Sequence, residues 1–184
     1  MSRMSAFDLH HFAVKEHHAR SLHWDLRLQF SGKSLLSFAL HLPPNLDPDR
    51  PLIAIKVADH NLEHLFKEWV IPPGRPGAGP TVLWDRGFYR ALGEKSVQFQ
   101  VSCGHVAVEM FGSRLKGKFR LRWVGPEWKR WALEKEWDGF ADPPRCFPNV
   151  LTPEKILELT AKKSRSGDTT NLDLFPAFQN RGSF

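Results

Sequence analysis

The run Leu22-His23-Trp24-Asp25-Leu26-Arg27-Leu28 alternates apolar and polar residues without a break. A period of two is the signature of a half-buried strand, because successive side chains project to opposite faces. Leu22, Trp24, Leu26 and Leu28 therefore call for a core beneath a sheet. His23, Asp25 and Arg27 stand on the other face, about 7 Å apart in a row by strand geometry. The approach from Phe12 is dense in histidine, and His17 precedes the strand by enough chain to fold back over its start.

Similar short segments fill the rest of the chain. Ser31-Gly32-Lys33 reads as a turn into a strand from Ser34 to Leu40. The prolines of Pro43-Pro44-Asn45-Leu46-Asp47-Pro48 impose a loop. A strand follows at Ile53 to Val57, then a short helix or irregular stretch from Leu62 to Val70, and a glycine- and proline-rich loop over 72–80. Further strands are expected at Thr81 to Trp84, Ser96 to Ser102, His105 to Phe111, Phe119 to Val124 and Arg130 to Lys135. The turn signals between them are Asp85-Arg86-Gly87, Cys103-Gly104, Lys116-Gly117 and Gly125-Pro126. Strands at such spacing indicate an antiparallel barrel or sandwich. Thr152-Pro153-Glu154 opens a helix, with threonine as N-cap and proline at the first helical position, running to about Lys163.

The expected organisation is a short arm (1–11), a β-barrel domain (12–145), a C-terminal helical segment (146–163) and a flexible tail (164–184) whose Leu172 to Phe178 patch could dock on a partner. With 14 Phe and 7 Trp in 184 residues the core can be filled without disulfides or metal. Cys103 and Cys146 lie far apart and lack a C-x-x-C partner, which speaks against a zinc finger or disulfide framework. No apolar run approaches a membrane span and no signal pattern opens the chain, so the expectation is a cytoplasmic protein without a membrane partner. The net charge of +6 and pI of about 9.5 favour an anionic partner, nucleic acid being the commonest.

Two imidazoles and a carboxylate (His17, His23, Asp25) suit a divalent Mn, Zn, Fe or Co ion and leave coordination positions open for a substrate oxygen. Arg27, next in line, could hold a phosphate bidentately. The alternative is a surface histidine cluster with an Asp25–Arg27 ion pair. Arg114, Lys116, Lys118, Arg120, Arg122, Lys129 and Arg130 form a basic belt interleaved with Phe119, Trp123, Trp128 and Trp131. Period two sends the rings to the core and leaves Arg120 and Arg122 outward as weak DNA contacts, together with Lys15. The loop at 74–79 lacks a P-loop pattern. His10, His11 and His105 have no assignable role.

The run F-A-V-K-E-H-H-A-R-S-L-H-W-D-L-R-L resembles the opening motif of the 3′-phosphoesterase domain found at the N-terminus of bacterial DNA ligase D and in stand-alone relatives. Further matches follow in order: Ser37-Phe38-Ala39-Leu40, Leu46-Asp47-Pro48, Val57-Ala58-Asp59-His60-Asn61-Leu62-Glu63, Ile71-Pro72-Pro73-Gly74, Gly77-Ala78-Gly79 with Val82-Leu83-Trp84-Asp85-Arg86-Gly87, Leu115 to Leu121, and Trp131-Ala132-Leu133. The likeness covers about residues 12–142. It implies a mainly β fold, a curved antiparallel β-barrel with a few short flanking helices, that trims DNA 3′ ends in repair by non-homologous end joining. It implies His17, His23 and Asp25 as ligands of a divalent metal, manganese first and zinc or cobalt as alternatives. It implies Arg27 and His60 at the scissile phosphate, with His60 a proton donor and His64 nearby on the substrate. The implied partners are primer–template 3′ ends and a DNA ligase or end-joining protein.

The chain departs from the family pattern at several positions. Lys15 stands for a glutamine, Leu42 for a lysine, Leu52 for an arginine that helps the site, and His64 for a tyrosine. Arg3 and Asp8 do not convincingly replace the family's N-terminal arm residues. Two functions follow: a 3′-phosphoesterase of reduced activity that removes a 3′-phosphate before ligation, with removal of a terminal ribonucleoside as a further step, or a catalytically weakened DNA-end binding module.

Overall fold

The computed structural model of the protein describes residues 9–30 and 32–165. Its strands are β1 (His10–His18), β2 (Leu22–Gln29), β3 (Ser34–Leu40), β4 (Leu52–Lys56), β5 (His60–Asn61), β6 (Trp69–Ile71), β7 (Gly79–Ala91), β8 (His105–Gly112), β9 (Lys116–Trp123) and β10 (Arg130–Lys135). Two helices join them, α1 (Val97–Ser102) and α2 (Pro153–Arg165). Every pairing is antiparallel, in the order β1-β2-β3-β4-β10-β9-β8-β7, and β7 returns to β1. The result is a closed eight-stranded barrel, mainly β as the sequence predicts. Closure leaves none of these eight as a free edge.

The alternation of β2 is realised as expected. Trp24, Leu26 and Leu28 enter the barrel core with Phe12, Val14, Phe38, Leu40, Tyr89, Phe119, Leu121 and Trp131. Tyr89, the only tyrosine in the chain, is fully buried and donates its hydroxyl to the Gln29 carbonyl at 2.6 Å. No helix of the described residues is long and apolar enough to cross a membrane, and both cysteines are free and exposed.

Three local expectations are corrected. Asp85-Arg86-Gly87 is no turn, because β7 runs through it for 13 residues. Asp85 is buried, and its carboxylate accepts the backbone N–H groups of Ser113 (2.9 Å) and Leu115 (2.8 Å). It thus anchors a turn in another hairpin. That turn occupies Ser113 to Leu115, so Lys116-Gly117 opens β9 instead of forming the turn before it. The third correction is Ser96 to Ser102, expected as a strand and observed as α1. Ser96 caps the helix through Phe99 N–H, and Gln100 turns inward to serve Leu92 O, Lys95 O and Ala107 N–H. A buried amide so fully satisfied outweighs weak alternation over seven residues.

Two smaller differences concern β1 and the stretch before β6. β1 begins at His10, inside the expected arm. The expected 62–70 irregular stretch resolves into a 3₁₀ turn at Leu62–His64 and then β6. The tail patch Leu172 to Phe178, together with Arg3 and Asp8, lies outside the described residues.

Residues 60–71 form a strap across the outside of the barrel wall. It begins paired with β3 through β5 and ends paired with β7 through β6, so it crosses β2 and β1 between them. Leu65 seats on Ala13 and Leu35 in a small outer cluster, with Leu62 and Leu83 beside them. The chain after the barrel then closes one end. Asp142 N–H bonds Leu46 O, Phe147 meets Trp84 edge-on, and Val150 N–H reaches the buried Glu16 carboxylate at 2.6 Å. α2, capped by Thr152 as expected, docks Leu159 on Val70 and Val82 and pairs Lys155 with Glu68 at 3.0 Å.

Candidate metal and phosphate centre

The β1–β2 hairpin sets His17 directly opposite His23, and Lys15 opposite Asp25. These four, with Arg27, face outward from the wall, where the strap and the loop before β7 cover them. Polar alternation that would otherwise meet water is thereby buried. His17 and Arg27 are 6% and 7% exposed, and Lys15 is 1%.

His17 Nδ1 lies 3.5 Å from one Asp25 oxygen, and His23 Nε2 lies 3.5 Å from the other. The two imidazole rings are 4.6 Å apart, and one ligand atom from each of the three residues falls within 4.8 Å of the others. The remaining ring nitrogens fix the tautomers. His17 Nε2 meets the Gly77 carbonyl at 2.7 Å, and His23 Nδ1 meets the Ser21 carbonyl at 2.9 Å. A carbonyl only accepts, so both nitrogens carry protons, and in neutral rings the opposite nitrogens turn lone pairs toward Asp25. Lone pairs facing a carboxylate repel unless a proton or a cation lies between them. Ligands about 2.1 Å from one tetrahedral ion sit roughly 3.4 Å apart, which matches the observed spacing and exceeds a good hydrogen bond. The donor set therefore fits a divalent ion. Gly77, at φ 75°, brings its carbonyl to His17, and a Cβ there would lie 3.1 Å from the ring.

Burial pushes the Asp25 carboxyl up, but His17, Arg27 and His23 together outweigh it and hold the group below the usual carboxylate range. Arg27 donates to Asp25 at 3.3 Å and to the His64 carbonyl at 2.7 Å. Its Nε is buried without a partner among the described residues. His60 Nδ1 meets Ser37 Oγ at 3.0 Å, and that hydroxyl gives its own proton to Leu35 O. With that proton given away, Ser37 Oγ accepts from His60 Nδ1, and the His60 ring also bonds the Ala58 backbone. Burial, then the Arg27 charge, lowers its pKa, so it must gain a proton before it can act as an acid. The His64 ring stands 6.1 Å from the His60 ring, and burial and Arg27 lower its pKa too.

The structure sorts the remaining expected residues. Lys15 does not reach outward to DNA, because its amine is buried beneath the strap and donates to the Lys67 carbonyl. Burial, and after it Arg27, brings its pKa down to about 7. Arg120 and Arg122 lie on β9, across the barrel from β2, and are paired with Glu136 and Glu134 at 2.6 Å each. They do not join the site. Leu52 belongs to the barrel core, on the other side of the wall from the site, and Leu42 is exposed in the loop after β3. Composition and spacing missed the Gly77, Ser21, His64 and Lys67 carbonyls, which every residue type possesses.

The family model described as the DNA ligase D 3′-phosphoesterase domain matches residues 15–122. The multifunctional non-homologous end joining protein LigD of Pseudomonas aeruginosa is 34% identical over 179 residues, 95% of this chain and 21% of the relative. Its namesake in Mycolicibacterium smegmatis is 33% identical over 159 residues, 83% of this chain and 20% of that protein. The corresponding DNA repair protein of Mycobacterium tuberculosis is 35% identical over 130 residues, 69% of this chain and 16% of its own length. The chain thus spans about a fifth of these relatives. On the family match and on this breadth of identity, the chain belongs to the DNA ligase D 3′-phosphoesterase domain family.

Proposed function

We propose that this chain is a metal-dependent DNA 3′-end phosphoesterase of DNA repair, which removes a 3′-phosphate and leaves a hydroxyl that a ligase can join. The observation that carries the reading is the convergence of His17 Nδ1, His23 Nε2 and Asp25 on one point, with Arg27 fixed beside them. Those three side chains would hold the ion, manganese first and zinc or cobalt next. When bound, the ion supplies a Lewis acid for a phosphoryl oxygen and lowers the pKa of a bound water.

The chain's own groups do the rest. Arg27 is held in place from two sides, and its unused Nε–H is a donor for a phosphate oxygen, offsetting charge that builds during transfer. His60 holds a proton at Nε2 once a phosphate dianion beside it raises its pKa, and can then give it to the leaving oxygen. The strap shields the site, so these donors act in a reduced dielectric. DNA 3′ ends are the proposed substrate, and a ligase or end-joining protein the proposed partner.

Incubation with Mn²⁺ and a primer–template ending in a 3′-phosphate should release inorganic phosphate and leave a 3′-hydroxyl, and His23→Ala should abolish this. Absence of product at high enzyme with manganese, zinc and cobalt in turn would overturn the reading.

A further inference from the structure

We propose that the outer face of β1, β7 and β8 binds unpaired nucleotides of a DNA end, stacking bases on Phe66, Phe88 and Phe111 and meeting phosphates with Arg86, Lys116 and Lys118. This inference rests on the phosphoesterase reading and extends it to the shape of the substrate.

Three phenylalanines keep large exposed areas on this face, Phe111 with the Arg90 guanidinium 5.8 Å from its ring centre. Phe66 is 39% exposed, and Phe88 and Phe111 are 44% exposed each. Single exposed apolar residues are ordinary, but these are contiguous. Strand register sets His11 opposite Phe88, Phe88 opposite Phe111, and Phe111 opposite Lys116, one row across four adjacent strands. His11 closes the remaining gap, with its ring 4.6 Å from Phe88 and edge-on to Phe66 at 5.6 Å. The row spans three interstrand steps, about 14 Å, enough for a few extended nucleotides.

Charge decides the occupant. Arg86 projects outward two residues before Phe88 and, like Lys116 and Lys118, has no acidic partner among the described residues. The two acids beside this row are each taken by an arginine: Glu109, opposite Lys118, by Arg90 with its Nε at 2.7 Å, and Glu136, whose N–H bonds the Lys118 carbonyl, by Arg120. Stacking rings bordered by cations that form no ion pair of their own are the usual surface for single-stranded nucleic acid. A second copy fits less well, since a two-fold interface would press this same positive surplus against itself. The stripe is also continuous with the proposed phosphate centre. Phe66 sits on the strap between His64, whose carbonyl holds Arg27, and Lys67, whose carbonyl holds Lys15.

The test measures binding of the full chain, by fluorescence anisotropy, to duplex ends bearing a 3′-phosphate, either blunt or with a single-stranded extension. In the double variant Phe88→Ser/Phe111→Ser, affinity for the extended end should fall about tenfold or more, the size of a lost base–aromatic stack. Affinity for the blunt end should stay within about twofold, again because only stacking is removed. Both positions are partly exposed, so the melting temperature should fall by only a few degrees, the effect of losing one cross-strand aromatic pair. Release of phosphate from a nucleoside 3′-phosphate with Mn²⁺ should also persist in the variant. Equal loss on both ends, no loss on either, or a wild-type dimer in sedimentation that the variant abolishes would overturn the stripe. Failure of the unsubstituted protein to release phosphate would instead strike the phosphoesterase reading, whatever the binding shows.

Discussion

Two walls of the barrel begin from the same pattern and end as opposites. On β2, Trp24, Leu26 and Leu28 enter the core, and on β9 Phe119 and Leu121 do, while the residues between them carry charge outward. Trp123 and Trp128, expected in the core, stay exposed at the end of that wall. On β9 those charges stay in water. Arg120 and Arg122 are more than half exposed, and each is neutralised by one carboxylate. On β2 the strap lies over the outward row, so His23, Asp25 and Arg27 lose solvent and depend on one another and on backbone carbonyls. Surface ion pairs contribute little, whereas buried charges shift pKa values and bind strongly whatever completes them. The contrast teaches that a cover across one wall, rather than the residue types alone, turns an ordinary polar face into a candidate site.

The sharpest break of this contrast is His23→Ala. It should lower phosphate release by at least about 10³-fold and erase the rise in melting temperature that Mn²⁺ gives by binding the folded state. A full manganese-dependent stabilisation in this variant would move the ion elsewhere. Arg27→Ala comes next. It removes an oriented donor, and the expected cost is about 10²–10³-fold in kcat, with manganese binding retained because Arg27 is no ligand. Arg27→Lys should rescue only part of this, since an ammonium cannot hold Asp25 and His64 O while presenting a third donor. A purely KM effect would make Arg27 a docking residue instead.

The barrel was legible because period two recurs along most of its strands, and β3, β10 and the start of α2 lie where the pattern puts them. The failures share a cause. Asp85, Gly87 and Gly117 are common turn residues, but here they serve contacts between hairpins. Asp85 caps the 113–115 turn, and a Cβ at Gly87 would lie 2.2 Å from Phe111 O. Such roles exist only once distant strands meet. The His17–His23–Asp25 group was readable because one hairpin supplies it. The burial of Lys15, and the placing of Arg120 and Arg122 on the far wall, depend on strand order in a closed ring, which no local pattern encodes.

The cover itself can be loosened. Leu65→Ala removes the main apolar anchor of the strap, a side chain 2% exposed against Ala13 and Leu35. The expected destabilisation is about 2–3 kcal/mol, read by urea unfolding. Activity should fall further than the loss of folded protein explains, because Arg27 loses a well-held His64 carbonyl. Wild-type activity in a destabilised variant would mean that the strap is only a lid for stability.

The smallest effect belongs to the open wall, and its smallness is the informative part. Arg122 Nη2 meets Glu134 Oε1 at 2.6 Å, but the arginine side chain is 55% exposed. Water already solvates both partners, and ordering two long side chains offsets much of their attraction. A double-mutant cycle with Arg122→Ala and Glu134→Ala should give a coupling of about 0.2–1 kcal/mol that shrinks in salt. Because Glu134 cancels the field of Arg122, the same arginine variant should change affinity for DNA ends by less than about twofold, in contrast to a contact that releases counterions. A tenfold loss of DNA affinity in Arg122→Ala would show that DNA displaces Glu134 from the guanidinium. The two walls would then differ in what covers them and no longer in what they do.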